Sequence, residues 1–151
     1  MIALILMLGC FSERDTLDGF WTGDVTCDSL DYTVELAINE QQEFEYTGQL
    51  LFRYTRAVSG GEFLANLLYN FEAVQPYVAG SQEVFFYNVV WADLGCKTVY
   101  DNGTEQSGGC QANGLDTSDL GEDIGDIKMD FNGIDRLVID DGNCQGIFYR
   151  E

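Results

Sequence analysis

The feature that most constrains the fold is a period of two in the apolar side chains, the dominant pattern from residue 18 onward in this 151-residue chain. Successive side chains of a strand point to opposite faces, so this alternation describes strands with one dry face and one wet face. Gly19, Trp21, Gly23, Val25 and Cys27 alternate with Phe20, Thr22, Asp24, Thr26 and Asp28, and only Phe20 of the second set is out of place in water. Tyr32, Val34, Leu36 and Ile38 continue the pattern, and beyond Glu40-Gln41-Gln42 it resumes at Phe44, Tyr46, Gly48, Leu50, Phe52 and Tyr54, which predicts a hairpin. Its second strand, over 43–55, would reach roughly 40 Å, the length of strands that bend around a barrel or sandwich.

Residues 62–74 fit either period: Phe63, Ala65, Leu67, Tyr69, Phe71 and Ala73 suit a strand, whereas Phe63, Leu64, Leu67, Leu68 and Phe71 suit one helix face. The strand is preferred. Residues 83–91 are almost continuously apolar, as in a strand covered on both sides or one bearing an exposed patch. Residues 101–125 lose periodicity and gain Gly, Asp and Asn, which predicts a long surface loop. Order returns with Ile127, Met129 and Phe131, then Leu137 and Ile139, then Cys144, Gly146, Phe148 and Arg150, with turn signals at Asn132-Gly133 and Asp141-Gly142. A three-residue turn through Ile134, pairing Met129 with Leu137 and Ile127 with Ile139, keeps these apolar residues on one face. About eight strands, no helix and no internal repeat predict a single all-β domain over 18–151, an antiparallel up-and-down barrel, with a β-sandwich as the alternative.

The start of the chain reads as an address. Residues 1–9, Met-Ile-Ala-Leu-Ile-Leu-Met-Leu-Gly, are uncharged and apolar, and Phe11-Ser12-Glu13-Arg14-Asp15 turns abruptly polar. Nine residues are too few for a membrane-spanning helix, which needs about 20, but suit the apolar region of a signal peptide. Met7-Leu8-Gly9-Cys10 resembles the lipobox of bacterial lipoproteins. The resemblance implies cleavage before Cys10, lipid on Cys10, residues 10–17 as a short tether, and an exported protein held at the cell envelope. It departs from that family's signals in being short and in lacking a Lys or Arg near the start; the alternative is a buried apolar amino-terminal strand. Setting Cys10 aside leaves Cys27, Cys96, Cys110 and Cys144, an even set suited to two disulfides in an oxidising compartment. No CxxC and no His occur among them, so they form no zinc pattern.

If the first and last strands pair antiparallel, one register sets Cys27 opposite Cys144, Trp21 opposite Arg150 and Phe148 opposite the small Gly23. Such a pairing closes the sheet. It assigns the disulfides as Cys27–Cys144 and Cys96–Cys110, the second closing a Gly-rich loop flexible enough for disulfide geometry. Gly19-Phe20-Trp21 with Arg150 is similar to the lipocalin superfamily, in which a Gly-x-Trp on the first strand packs with an Arg from the barrel's end; the Thr-Asp-Tyr motif of that family is missing here. The resemblance implies an eight-stranded barrel whose mouth binds a small apolar molecule, while 20 aromatic residues make an interior filled by its own side chains the alternative.

Charge narrows the chemistry. Seven Lys and Arg against 26 Asp and Glu give a net charge of −19, which repels nucleic acid and anionic membrane surfaces. His is absent, and with it the commonest general base. There is no GxSxG, P-loop or dinucleotide fingerprint, so a non-enzymatic binding or accessory role is expected, for a small apolar ligand or a protein partner. A purely structural envelope protein is one alternative and a carboxylate-based hydrolase another. No cofactor is expected, with one candidate exception. Asp116, Asp119, Glu122, Asp123 and Asp126, with Asp130 nearby, form an oxygen-rich segment that could bind Ca²⁺ but has no EF-hand spacing; the alternative is a solvated loop.

Overall fold

A computed structural model describes residues 16–76, 82–115 and 125–151. The strands are β1 (Gly19–Cys27), β2 (Leu30–Gln42), β3 (Glu45–Val58), β4 (Gly61–Val74), β5 (Glu83–Tyr100), β6 (Glu105–Ser107), β7 (Ile127–Phe131), β8 (Arg136–Asp140) and β9 (Cys144–Arg150), with one 3₁₀ turn at Gln111–Asn113. Each of β1 to β5 pairs antiparallel with the next, β5 with β7, and the remaining strands in order until β9 returns to β1; β6 hangs on β5 outside the ring. The result is a closed eight-stranded up-and-down barrel, consistent with a lipocalin-like architecture, and ring closure excludes the sandwich.

The alternation decides which residues fill it. Trp21, Val25, Val34, Leu36, Ile38, Leu50, Leu67, Phe71, Met129, Leu137 and Phe148 are all buried, and among the described residues no polar or charged side chain is. Fully burying one such aliphatic or aromatic side chain is worth about 1.5–3 kcal/mol, so the wall is held mainly by what it encloses. Residues 62–74 are extended, with Phe63, Ala65, Leu67, Tyr69, Phe71 and Ala73 inward. Phe20, the outlier in the alternation, stands 66% exposed on the outer wall.

β1 and β9 share the register Trp21 opposite Arg150, Gly23 opposite Phe148 and Cys27 opposite Cys144. Both disulfides are formed, Cys27–Cys144 and Cys96–Cys110. At Gly23 the strands approach so closely that a Cβ would lie 2.1 Å from the carbonyl oxygen of Ile147. The base of the barrel is plugged by Leu17, which is fully buried. The Trp21 indole N–H donates to the Leu17 carbonyl at 2.9 Å, the Arg150 guanidinium lies 4.7 Å over the Trp21 ring, and Arg150 also donates to the carbonyl of Thr16. Gly19, with φ of +130°, lets the chain turn from this plug into β1.

Three expectations need correction. The segment 101–125 is not wholly loop: after a turn at Asn102-Gly103, residues 105–107 pair with Val99, Thr98 and Lys97, and the Lys97–Glu105 ion pair joins the two strands. All three residues of β6 are exposed, so no apolar alternation marks it. The β7–β8 turn pairs Met129 with Ile139 and Phe131 with Leu137, two residues from the expected register although the faces are unchanged. Asn132 is responsible: its Oδ1 accepts from the backbone N–H groups of Ile134, Asp135 and Arg136 at 2.9–3.0 Å, which moves the turn one residue onward. β5 extends well beyond residue 91 and carries two extra residues relative to β4, near Asn88 and Ala92. The first of these bulges shifts the inward phase from Phe86 to Val89, and Val90 and Trp91 become exposed.

Candidate functional site at the barrel mouth

Side chains from the strands fill the barrel from its plugged base upward, and at the opposite end they stop short of closing it. A cavity of about 170 Å³ remains there. Its walls come from five strands and one disulfide: Tyr32 of β2, Phe52 of β3, Leu67 and Tyr69 of β4, Ile127 of β7, Ile139 of β8, and the Cys27–Cys144 bridge. Asp141, in the turn after β8, stands at the rim. Each wall residue occupies an inward position of its strand, so the alternation that builds the core also builds the mouth.

The aromatic residues form a connected group. Tyr32 meets Phe52 at 5.5 Å between ring centres with planes 81° apart, and Phe52 meets Tyr69 at 6.0 Å and 85°. Tyr54 lies 5.9 Å from Tyr32. The two contacts of Phe52 are edge-to-face, of the kind worth about 0.5–1.5 kcal/mol beyond burial, enough to hold the rings in place without a ligand. Burial pushes the Tyr32 hydroxyl above its ordinary value, and interactions with Tyr54, Tyr69 and Asp28 raise it further; burial alone raises Tyr69. Both hydroxyls are therefore neutral at physiological pH, each able to donate and accept.

The Asp141 carboxylate has a structural task as well. Its Oδ1 accepts from the N–H of Asn143 at 2.9 Å and of Cys144 at 2.7 Å, which orders the β8–β9 turn beside the disulfide. Among the described residues no Lys or Arg lines the cavity. The site can thus hold a small apolar body and offer a polar or negative edge to whatever emerges from it.

Two of the larger hollows on the outer wall are of another kind. One, about 440 Å³, contains Arg53 and Lys97, but these are already paired with Glu35 and Glu105. The other, about 670 Å³, is lined by Asn39, Gln49, Asn70 and Glu72 among others and is an open polar groove.

Of the residues singled out from sequence, Trp21 and Arg150 meet at the plugged base, where Gly19 begins β1, away from the cavity, whereas Cys27 and Cys144 form part of its wall. Cys96 and Cys110 tie the segment after β6 back to β5, and Leu115 beyond them is buried. Cys10 lies outside the described residues, as do Asp116, Asp119, Glu122 and Asp123. Asp126 is described and exposed, and among the described residues no three His, Cys, Asp or Glu side chains are placed to hold a metal ion. Tyr32, Phe52 and Tyr69 were legible only as inward residues. Counting outward from Trp21 to the half-cystine Cys27 would have located the rim, because the disulfide marks the end of β1 opposite the plug.

Compared with known proteins, the chain matches no family model, no curated protein and no solved structure.

Proposed function

We propose that this protein is an exported, lipid-anchored binding module of the bacterial cell envelope whose barrel mouth receives a small, largely apolar molecule. The observation that carries this reading is the aromatic-walled cavity of about 170 Å³ left in an otherwise filled barrel. An engineered apolar cavity of about 150 Å³ in another protein holds benzene, so the volume suits a ligand of some six to eight heavy atoms rather than a fatty acid or a porphyrin. Two disulfides point to an oxidising, exported environment. Among the described residues no helix is long and apolar enough to cross a membrane, and the lipobox-like Met7-Leu8-Gly9-Cys10 supports attachment through Cys10. The described chain enters at the plugged base, so a tether there would direct the mouth away from the membrane.

Native mass spectrometry of protein purified from its own host tests the binding role. The expected result is a reproducible small co-purifying mass that disappears in Ile139→Phe, a variant that fills the cavity, while thermal unfolding shows that the variant remains folded. A clean polypeptide mass, with no small neutral or charged probe binding at the mouth, would favour a purely structural envelope protein instead. Cys10→Ser should abolish lipid labelling and release the protein from the membrane fraction; wild type retaining residues 1–9 without a lipid mass would refute the anchor.

A further inference from the structure

We infer that the occupant of the mouth is a small organic cation, an alkylated ammonium group of about the size of choline, held by the Tyr32, Phe52 and Tyr69 rings with the Asp141 carboxylate at the rim. The inference rests on the proposed binding role and names the chemical class of its ligand.

The first argument is the arrangement of the rings. Tyr32 and Tyr69 flank Phe52, each at nearly a right angle to it, so the three rings form adjoining walls rather than a flat stack. A cation placed within about 6 Å of several ring centres is attracted by their quadrupoles, and methylated ammonium groups suit such walls because their charge is spread over an apolar surface.

The second argument is charge. Asp141 stands at the rim, and Asp28 is near enough to Tyr32 to influence its hydroxyl. Among the described residues no cationic side chain lines the cavity to compete, and the chain as a whole carries −19. A field of that sign concentrates cations at the mouth and repels carboxylate ligands such as fatty acids. The third argument is size: 170 Å³ suits a trimethylammonium group with a short tail, which has about as many heavy atoms as the cavity can take.

The test compares choline with its uncharged isostere 3,3-dimethylbutan-1-ol, titrated calorimetrically into the full mature protein at low ionic strength. Choline should bind about tenfold more tightly, the ratio expected of cation–π contacts partly removed from water. Its advantage should shrink as salt is added. Asp141→Asn retains the Oδ1 acceptor that orders the turn and removes only the charge, so it should weaken choline several-fold and leave the alcohol unchanged. Tyr32→Leu should weaken choline more than the alcohol. If the alcohol binds as tightly as choline, the cation inference is overturned and the apolar mouth stands; if neither binds, both fall. Choline binding that survives Ile139→Phe would overturn the inference too, because the acidic surface and not the mouth would be holding it.

Discussion

Replacing the two disulfides one at a time separates covalent topology from local packing. Each bridge is removed by the same change, two Cys→Ala substitutions, and all four cysteines are half-buried against the core, so the packing losses are similar. The loops they close differ greatly, with sequence separations of 117 for Cys27–Cys144 and 14 for Cys96–Cys110. In the chain-entropy treatment these correspond to about 4.9 and about 3.0 kcal/mol of restriction on the unfolded chain at room temperature. The long-range variant should therefore be the less stable by about 2 kcal/mol, a melting temperature lower by about 4–8 °C for a domain of this size. Urea unfolding followed by tryptophan fluorescence gives both free energies, and the slope against urea should rise for Cys27→Ala/Cys144→Ala as its unfolded state expands. Equal losses in the two variants, or a larger loss for Cys96→Ala/Cys110→Ala, would refute the reasoning from loop length.

Gly23→Ala should destabilise the barrel by roughly 1–3 kcal/mol, read from the urea midpoint, because the new methyl meets the backbone of Ile147 and Phe148 and no flexible side-chain end that could give way. Arg150→Met keeps much of the volume over Trp21 but loses the cation and the bond to Thr16; unfolding should cost about 2–4 kcal/mol less, and the near-ultraviolet signal of Trp21 should change. Tyr32 and Tyr69 titrate above 10.0 when folded, so between that pH and their folded values the native state holds the more protons. Stability should accordingly be intact below pH 10.0 and fall as pH rises past it, and phenolate absorbance should lag behind that of the unfolded chain; a Tyr32→Phe/Tyr69→Phe variant with an identical alkaline profile would contradict this.

The barrel was largely legible in the sequence because its signals were redundant. Inward positions recur every second residue from Trp21 to Phe148, and the β1–β9 register was specified at once by a cysteine pair, a Trp–Arg pair and a glycine opposite a phenylalanine. Features resting on one side chain or one inserted residue were not. The β7–β8 turn follows the reach of Asn132 Oδ1, for which the strand pattern carries no sign. The bulges near Asn88 and Ala92 reflect how β5 must bend to serve β4, β6 and β7, a demand made by the closed ring and not by the local sequence. The cavity is less legible still, since Tyr32, Phe52 and Tyr69 obey the same alternation as the filled core. Which inward residues meet no opposite number depends on how five strands are staggered.

The closure bridge also governs how the molecule would carry force. Cys27 ends the nine-residue β1 and Cys144 begins the seven-residue β9. A pull applied between Thr16 and Glu151 therefore travels along β1, through the sulfur–sulfur bond and out along β9, and once those two strands are peeled away the covalent path bypasses the chain between the half-cystines. Peeling either strand from its neighbours ends at the half-cystine. Held by one end in a moving fluid or stretched against a neighbour, the protein would yield by the length of two short strands and keep the segment that supplies most of its mouth slack and unextended.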